Sequence, residues 1–228
     1  MATHLNLEDQ EQLDQLKSFW KKYGNLLTWI VIAVLGAFAA WNGWNWYQRD
    51  QSIKAGAMYD ELDKAAQAGD ADKAGRVFAD MKERFPRTAF TEQGALLAAR
   101  TQFDKGQADN ARATLAWVAE NAKEDEYRTI ARLRLAGVLL DEKKYDEALK
   151  QLDAATAKEF AALVADRRGD ILIAQGKRDE AKAAYALAWK TMDEKVEYRR
   201  LIDAKLTALG AAPEPEKPTT AAVAEAGK

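Results

Sequence analysis

Residues 143–152, Lys143-Lys144-Tyr145-Asp146-Glu147-Ala148-Leu149-Lys150-Gln151-Leu152, decide the fold. Polar residues that favour a turn come first, and acidic residues that favour the first turn of a helix follow them. Ala148 and Leu152 are four positions apart, so they share one face of that helix. The stretch therefore predicts a turn and then a helix in which the small alanine allows close approach of a second helix, while the leucine fills the space beside it.

The same pattern occurs four times along the chain. The small residues are Ala74, Ala111, Ala148 and Ala181, and the large residues four positions later are Phe78, Leu115, Leu152 and Tyr185. Successive alanines are 37, 37 and 33 positions apart, and an apolar helical segment precedes each turn. The pattern resembles the tetratricopeptide repeat, a helix–turn–helix unit of about 34 residues. We therefore predict an all-α fold in which residues 53–210 form an α-solenoid of about four helix pairs.

Short polar turns separate the two helices of each unit. Three of these turns contain a glycine, Gly69, Gly106 or Gly176, and the remaining one contains Lys143 at that place. Beyond the fourth unit, residues 195–209 predict a helix that caps the open end of the solenoid, and Gly210 predicts where it ends. Residues 211–228 are rich in proline, alanine and glutamate, so we expect a disordered tail with little apolar surface to bury.

An uncharged stretch near the N-terminus predicts one transmembrane helix at residues 26–47. No charged residue lies between Lys22 and Arg49. At about 1.5 Å per residue, a helix over residues 26–46 would be about 31 Å long, which matches a hydrocarbon core of about 30 Å. Tryptophans lie near both ends, as expected at the two headgroup layers. Residues 1–25 form an arm with a short amphipathic helix, for which Asn6 is the expected N-cap and Gly24 the expected break before the span.

Three small residues, Gly36, Ala40 and Gly43, lie on one face of the predicted span and suggest a seam for packing against another transmembrane helix. A cleavable signal peptide is an alternative, because Ala37-Phe38-Ala39 fits a cleavage site. The long acidic leader and the apolar residues after that site favour a retained anchor. Lys21 and Lys22 lie directly before the span, so the positive-inside rule favours a cytoplasmic arm.

The composition argues against several classes of function. The chain contains no cysteine, its only histidine is His4, and its only serines are Ser18 and Ser52, beside the span. A nucleophilic Ser–His or Cys–His pair therefore has no place in the repeat domain, and neither a metal site nor a cofactor site is predicted. The 36 acidic and 34 basic residues nearly balance, so no basic field for nucleic acid is expected. We predict a protein that binds other proteins and catalyses no reaction.

The first helices of stacked repeats line a concave face, which we expect to form a protein-binding groove. The repeat register, counted back from the aligned alanines, places twelve residues on this face: Tyr59, Gln93, Leu96, Arg100, Phe103, Ile130, Leu133, Leu140, Leu163, Asp166, Asp170 and Ile173. Most are apolar, and the Lys/Asn pattern of carboxylate-clamp repeats does not occur at these positions. The alternative is that several of them pack between neighbouring units instead of facing a ligand.

The layout of the whole chain supports a closer resemblance. An arm that changes from acidic to basic, residues 11–24, leads into a span that ends in Trp44-Asn45-Trp46-Tyr47, and the four degenerate repeats follow. This layout resembles the YfgM-type ancillary subunits of the bacterial SecYEG translocon. The resemblance implies a single-pass protein of the lipid bilayer of the inner membrane, with its N-terminus cytoplasmic and its repeat domain periplasmic.

The resemblance also implies partners and a role. The expected partners are the SecYEG translocon, a PpiD-type periplasmic chaperone and exported client proteins, which such subunits pass to periplasmic chaperones. It supplies no catalytic residue. Two other interpretations remain: a scaffold for envelope assembly or division, whose groove binds one specific partner, and a cytoplasmic adaptor of reversed topology.

Overall fold

The structure is a computed structural model that describes residues 7–212, and the side chains from residue 11 onward. Asn6, the expected N-cap, and residues 213–228, most of the expected tail, lie outside this range. The described residues form nine α-helices and a short 3-10 helix, Lys158–Phe160, and contain no strand. The α-helices are α1 Leu7–Gln67, α2 Ala71–Arg84, α3 Ala89–Asp104, α4 Ala108–Asn121, α5 Asp125–Asp141, α6 Tyr145–Asp153, α7 Ala161–Ala174, α8 Arg178–Thr191 and α9 Arg199–Ala208.

The repeat prediction is confirmed, because pairs of helices joined by short turns follow one another along the chain. The end of α1 shares an apolar cluster with α2, and Lys73 of α2 lies 3.2 Å from Glu61 of α1. The pairs α3–α4, α5–α6 and α7–α8 follow. The four aligned alanines have no exposed surface, and the four large residues after them are 1–5% exposed. The alanine at each close approach and the large residue beside it thus occupy the positions that the repeat pattern predicts.

All four turns have the same backbone geometry. Gly69, Gly106 and Gly176 have φ angles of +67°, +77° and +77°, and Lys143 has a φ angle of +59°. In each turn this residue and the next one donate hydrogen bonds to carbonyls of the preceding helix, as Lys143 does to Leu140 and Lys144 does to Leu139. These bonds close the helix C-terminus in a Schellman arrangement. A positive φ is easy for glycine and costly for lysine.

Two clusters of buried apolar residues stabilise the repeat domain. The first runs from Leu62 of α1 through α2–α6 to Ile171 of α7. The second joins α7 and α8 to α9, with Ile202 and Leu206 at most 2% exposed. Helix α9 therefore caps the fourth pair, but it begins at Arg199, four residues later than residue 195, where the sequence predicts its start. Asp193 explains the delay, because its carboxylate accepts the Lys195 backbone N–H and its carbonyl accepts that of Val196, forming a turn.

The chain divides into two compact units, of which the first ends at Lys54 and the second begins at Ala55. The first unit contains the part of α1 that is long and apolar enough to cross a membrane, and almost all of its side chains there are exposed. The expected break at Gly24 is wrong, because α1 continues through it. The Trp20 ring covers Gly24, within 3.3 Å of where a Cβ would lie, and the Thr28 hydroxyl donates to the Gly24 carbonyl at 2.8 Å.

Candidate protein-binding surface

A cavity of about 420 Å³ opens between the first helices of three successive pairs, α3, α5 and α7. Its size falls within the range of about 300–1,000 Å³ that is usual for ligand pockets. The lining combines arginines, one carboxylate and an apolar floor. It consists of Ala99, Arg100, Phe103, Leu115, Arg134, Gly137, Val138, Asp141 and Arg167.

The helices determine how the polar side chains enter this cavity. Gly137 has no side chain, and a Cβ built there would lie 3.6 Å from Nη1 of Arg167, so the guanidinium of Arg167 lies over the glycine. Arg134 is fixed by a hydrogen bond from its Nη1 to the carbonyl oxygen of Leu96, at 3.1 Å. Phe103 is 41% exposed. A large aromatic surface is therefore available beside two oriented guanidinium groups.

The electrostatics of the cavity are positive. Three guanidinium groups, those of Arg100, Arg134 and Arg167, face one carboxylate, that of Asp141, among the lining residues. The pKa of Arg134 is lowered, first by partial burial of its guanidinium and second by the charge of Arg100. Arg100 and Arg167 have carboxylates of their own helices at 3.7 Å and 3.9 Å, which are long for ion pairs.

The structure brings two of the predicted groove residues, Arg100 and Phe103, into this cavity. Leu96 is buried, and its carbonyl accepts the bond from Arg134. Ile130, Leu133 and Leu140 are half-buried and pack against the first apolar cluster. This agrees with the alternative interpretation, in which such residues pack between neighbouring units.

The remaining predicted positions lie elsewhere on the first helices. The ring of Tyr59 packs against that of Phe90, with centroids 5.9 Å apart. Gln93 is exposed and donates to the Tyr127 hydroxyl at 2.8 Å. Leu163 is half-buried, and Ile173 is 37% exposed.

Asp166 and Asp170 belong to a polar network that holds α9 against α7. Lys205 Nζ lies 2.8 Å and 2.9 Å from the two carboxylate oxygens of Asp166 and 2.7 Å from Oδ1 of Asp170. Tyr198 donates to Asp166 and Tyr185 donates to Asp170, each at 2.8 Å. Burial, followed by these hydrogen bonds, raises the pKa of both phenols, so both remain protonated donors. The two aspartates are therefore occupied within the fold.

The sequence prediction missed Arg134, Gly137, Asp141 and Arg167, although the repeat carries a signal for two of them. Arg134 follows Arg100 by 34 positions, and Arg167 follows Arg134 by 33. One arginine thus occurs in each of three first helices. The interval of 33 equals the spacing of Ala148 and Ala181, whereas the interval of 34 is three shorter than the spacing of Ala111 and Ala148. Arg134 and Arg167 share one register position, 14 residues before the aligned alanine, and a charge that recurs at that position is the signal for them.

The proposed transmembrane seam lies on a single exposed face of α1. Ala40 is four positions after Gly36 and three before Gly43, which places the three residues on one side of the helix. A Cβ built at Gly36 or Gly43 would meet no atom within 4 Å in the described chain. The surface there is therefore small enough for another helix to approach, and its role remains a prediction. Within the part of the chain that the structure describes, no cluster of His, Asp and Glu could hold a metal ion.

Comparisons with known proteins place this architecture in a family. A model of a tetratricopeptide repeat-like domain matches residues 17–211. A Neisseria gonorrhoeae protein named ancillary SecYEG translocon subunit is 34% identical over 214 residues, which cover 92% of this chain and 100% of that protein. This chain belongs to the family of ancillary SecYEG translocon subunits.

Two further members of the family agree with this assignment over most of their lengths. The Escherichia coli protein of the same name is 30% identical over 80% of this chain and 88% of its own length. The Haemophilus influenzae protein is 26% identical over 80% of this chain and 89% of its own length. In this member of the family, the matched region contains both the apolar part of α1 and the repeat domain with its cavity.

Proposed function

We propose that this chain is a non-enzymatic, protein-binding subunit that is anchored in the bacterial inner membrane beside the SecYEG translocon. The observation that carries the proposal is the combination, in one chain, of a helix that could cross a membrane with a repeat domain that offers a ligand-sized cavity. The Neisseria gonorrhoeae relative, which is named for the translocon, supports the location, because its similarity covers 92% of this chain and so extends over both parts.

The proposed topology has the N-terminal arm in the cytoplasm and the repeat domain in the periplasm. An alkaline-phosphatase fusion after Gly210 tests it, because that enzyme is active only after export. We expect high activity from this fusion and low activity from a matched fusion after Lys22, which precedes the span. The opposite pattern would favour the cytoplasmic adaptor and contradict the proposal.

In the proposed mechanism, the repeat domain binds exported proteins as they emerge from the translocon and then passes them to periplasmic chaperones, including a PpiD-type partner. Partly folded chains expose apolar side chains, which Phe103 and the apolar floor of the cavity can receive. No cofactor takes part, and no bond is made or broken. Weak binding is an advantage in this role, because the client must be released to the next chaperone.

Photocrosslinking in living cells tests the binding role. A photoreactive phenylalanine analogue at Phe103 should crosslink to many newly exported proteins, and one at Leu133 to fewer, because Leu133 is half-buried. The matched control is Leu187 of α8, which is 55% exposed and lies outside the cavity lining. A single constant partner at Phe103 would support the assembly or division scaffold instead, and equal crosslinking at Leu187 would contradict a role for the cavity.

A further inference from the structure

The cavity between α3, α5 and α7 concentrates positive charge in a chain that has a formal net charge of −2. One guanidinium comes from each helix, and Asp141 is the one carboxylate among the lining residues. Like charges that are held close together repel, at a cost that grows as the site is desolvated. The lowered pKa of Arg134, which burial and the charge of Arg100 both cause, agrees with that repulsion. An anion bound among the three groups would relieve it.

The fold leaves most of the donors of this cluster available to a ligand. A guanidinium has five N–H donors in a fixed fork. The carbonyl of Leu96 accepts one hydrogen bond from Arg134. The nearest carboxylates to Arg100 and Arg167 lie at 3.7 Å and 3.9 Å, beyond the distance of a good charge-assisted hydrogen bond. Two of the three guanidinium groups thus have a carboxylate within 4 Å, but most of the N–H donors of the cluster stay available to a ligand.

An apolar surface lies directly beside the charge. Phe103 is 41% exposed, and Ala99, Leu115 and Val138 form the floor of the cavity. A ligand that matches this arrangement has an anionic group and an apolar group next to each other. The volume of about 420 Å³ restricts what enters to a few side chains. Neighbouring acidic and apolar side chains of an extended peptide meet both conditions.

We propose that this cavity selects extended peptide segments in which an acidic side chain, bound by Arg100, Arg134 and Arg167, is adjacent to an apolar side chain that packs on Phe103. This inference rests on the proposed function, because it assigns a chemical preference to the same protein-binding surface. It predicts that clients bind through acidic–apolar segments and not through apolar character alone.

Binding of synthetic peptides to the full chain in nanodiscs of neutral lipid tests the preference. The probes are three fluorescent peptides that differ in the residues on either side of a central leucine, which are glutamate, glutamine or lysine. We expect the glutamate peptide to bind about tenfold more tightly than the glutamine peptide, the effect of roughly one charge-assisted hydrogen bond. Its affinity should fall as salt rises, because screening shortens the Debye length to about 3 Å at 1 M.

Substitutions in the cavity distinguish recognition of charge from nonspecific apolar binding. Arg134→Gln and Arg167→Gln should each lower the ratio of glutamate-peptide to glutamine-peptide affinity from about tenfold towards one. Asp141→Asn should strengthen glutamate-peptide binding several-fold, a gain that damage to the fold would not produce. The matched control is Arg76→Gln, which changes an exposed arginine of α2 outside the cavity and should have no effect.

The outcomes separate this inference from the proposed function. Equal binding of the glutamate and glutamine peptides would overturn the charge preference while leaving peptide binding intact, whereas binding of neither peptide would count against the proposed function as well. A large gain in affinity on deletion of residues 213–228, which include Glu214 and Glu216, would identify that segment as the occupant and overturn the inference. Loss of peptide binding in nanodiscs of anionic lipid would identify a lipid headgroup as the occupant and would also overturn the inference.

Discussion

Lys143 has a backbone conformation that glycine adopts at the same place in the other three turns. Its φ angle is +59°, and it makes the same two-bond closure of the preceding helix. A left-handed conformation costs a residue with a Cβ about 1–2 kcal/mol, and the greater freedom of glycine in the unfolded chain returns part of that cost. We therefore expect Lys143→Gly to raise the free energy of unfolding by about 0.5–1 kcal/mol, as measured by chemical denaturation of the full chain in detergent micelles.

Gly106→Lys is the matched control for this prediction. Gly106 has a φ angle of +77°, and a Cβ built there would meet no atom within 4 Å. The substitution therefore isolates backbone strain from crowding, and it should lower the free energy of unfolding by about 1 kcal/mol. If Lys143→Gly were destabilising, or if Gly106→Lys were neutral, backbone strain at the turn would not contribute to stability.

Two glutamates in the repeat domain should contribute to stability with opposite pH dependences. Glu92 is 2% exposed, and its carboxylate accepts the Lys123 backbone N–H at 2.8 Å. Burial, together with the charge of Glu124, raises the pKa of Glu92 more than this bond and nearby cations lower it. The native state therefore takes up a proton at a pH where the unfolded chain does not, and folding becomes more favourable as the pH falls. Glu142 lies between Lys144 and Arg112, and the hydrogen bond from Lys144 is the main reason why its pKa is lowered.

Substitution by glutamine removes each of these contributions. The stability of the parent chain relative to Glu92→Gln should increase as the pH falls from neutral through the raised pKa, and it should level off below the ordinary glutamate pKa. The stability of the parent chain relative to Glu142→Gln should be constant near neutral pH and decrease as the pH falls below about 4.5. Denaturation curves over this pH range measure both differences, and slopes of the same sign would refute the assignment.

At the scale of the helices, α9 depends on a buried ion cluster as well as on apolar packing. Asp166 is 3% exposed, and Lys205 contacts both it and Asp170 within 2.9 Å. Removing the cation would leave the two carboxylates with only the Tyr198 and Tyr185 hydroxyls as close donors. Breaking a buried ion pair in this way costs about 3–5 kcal/mol. We expect Lys205→Met to lower the free energy of unfolding by about this amount and to increase amide exchange in α9 first, as hydrogen–deuterium exchange would measure.

Lys205→Arg is the conservative control, because it keeps the charge. A triple variant that combines Lys205→Met with Asp166→Asn and Asp170→Asn should recover part of the stability, because it also removes the carboxylates. Unchanged exchange in α9 of Lys205→Met would mean that Ile202 and Leu206 hold the helix by themselves.

The helix pairs could be predicted from the sequence because each is encoded locally. Ala148, Leu152 and the turn before them lie within ten residues, and the repeat supplies four independent copies of the pattern. The docking of α9 is encoded differently. Lys205 contacts Asp166, 39 positions earlier, and the repeat pattern does not predict that pair. The repeat register assigned Asp166 and Asp170 to the open concave face, because it does not include a helix outside the repeats that covers them.

The candidate site was predictable to the extent that it follows the register. Arg100 and Phe103 occupy inward positions in both the sequence and the structure. Arg134 and Arg167 are one position beyond the inward places at Leu133 and Asp166, and a long side chain with its charge at the tip reaches the cavity from there. The register describes where a Cβ points, whereas the chemistry of the cavity depends on where a guanidinium ends.

At the scale of the whole molecule, the anchor increases the rate at which the cavity meets its ligand. A binding surface held by a tether near its ligand meets that ligand at an effective concentration on the order of millimolar for a short linker. Affinities that would be negligible for a free protein then suffice for capture, and release remains fast. A small cavity in a degenerate repeat domain is consistent with such weak binding, so the proposed function does not require a large interface.

We predict that detaching the repeat domain strongly reduces client capture without changing peptide affinity. A chain that lacks residues 1–52 and is exported by a cleavable signal should bind the glutamate peptide within about twofold of the full chain, yet crosslink clients from Phe103 at least tenfold less in cells, in line with the lost effective concentration. A second chain, in which an unrelated apolar span replaces residues 26–47, separates tethering from specific contacts of the span. Full recovery with that span would mean that membrane attachment is enough, whereas poor recovery would implicate the face that carries Gly36, Ala40 and Gly43. Equal client capture by the detached domain at the same cellular level would show that tethering is unnecessary.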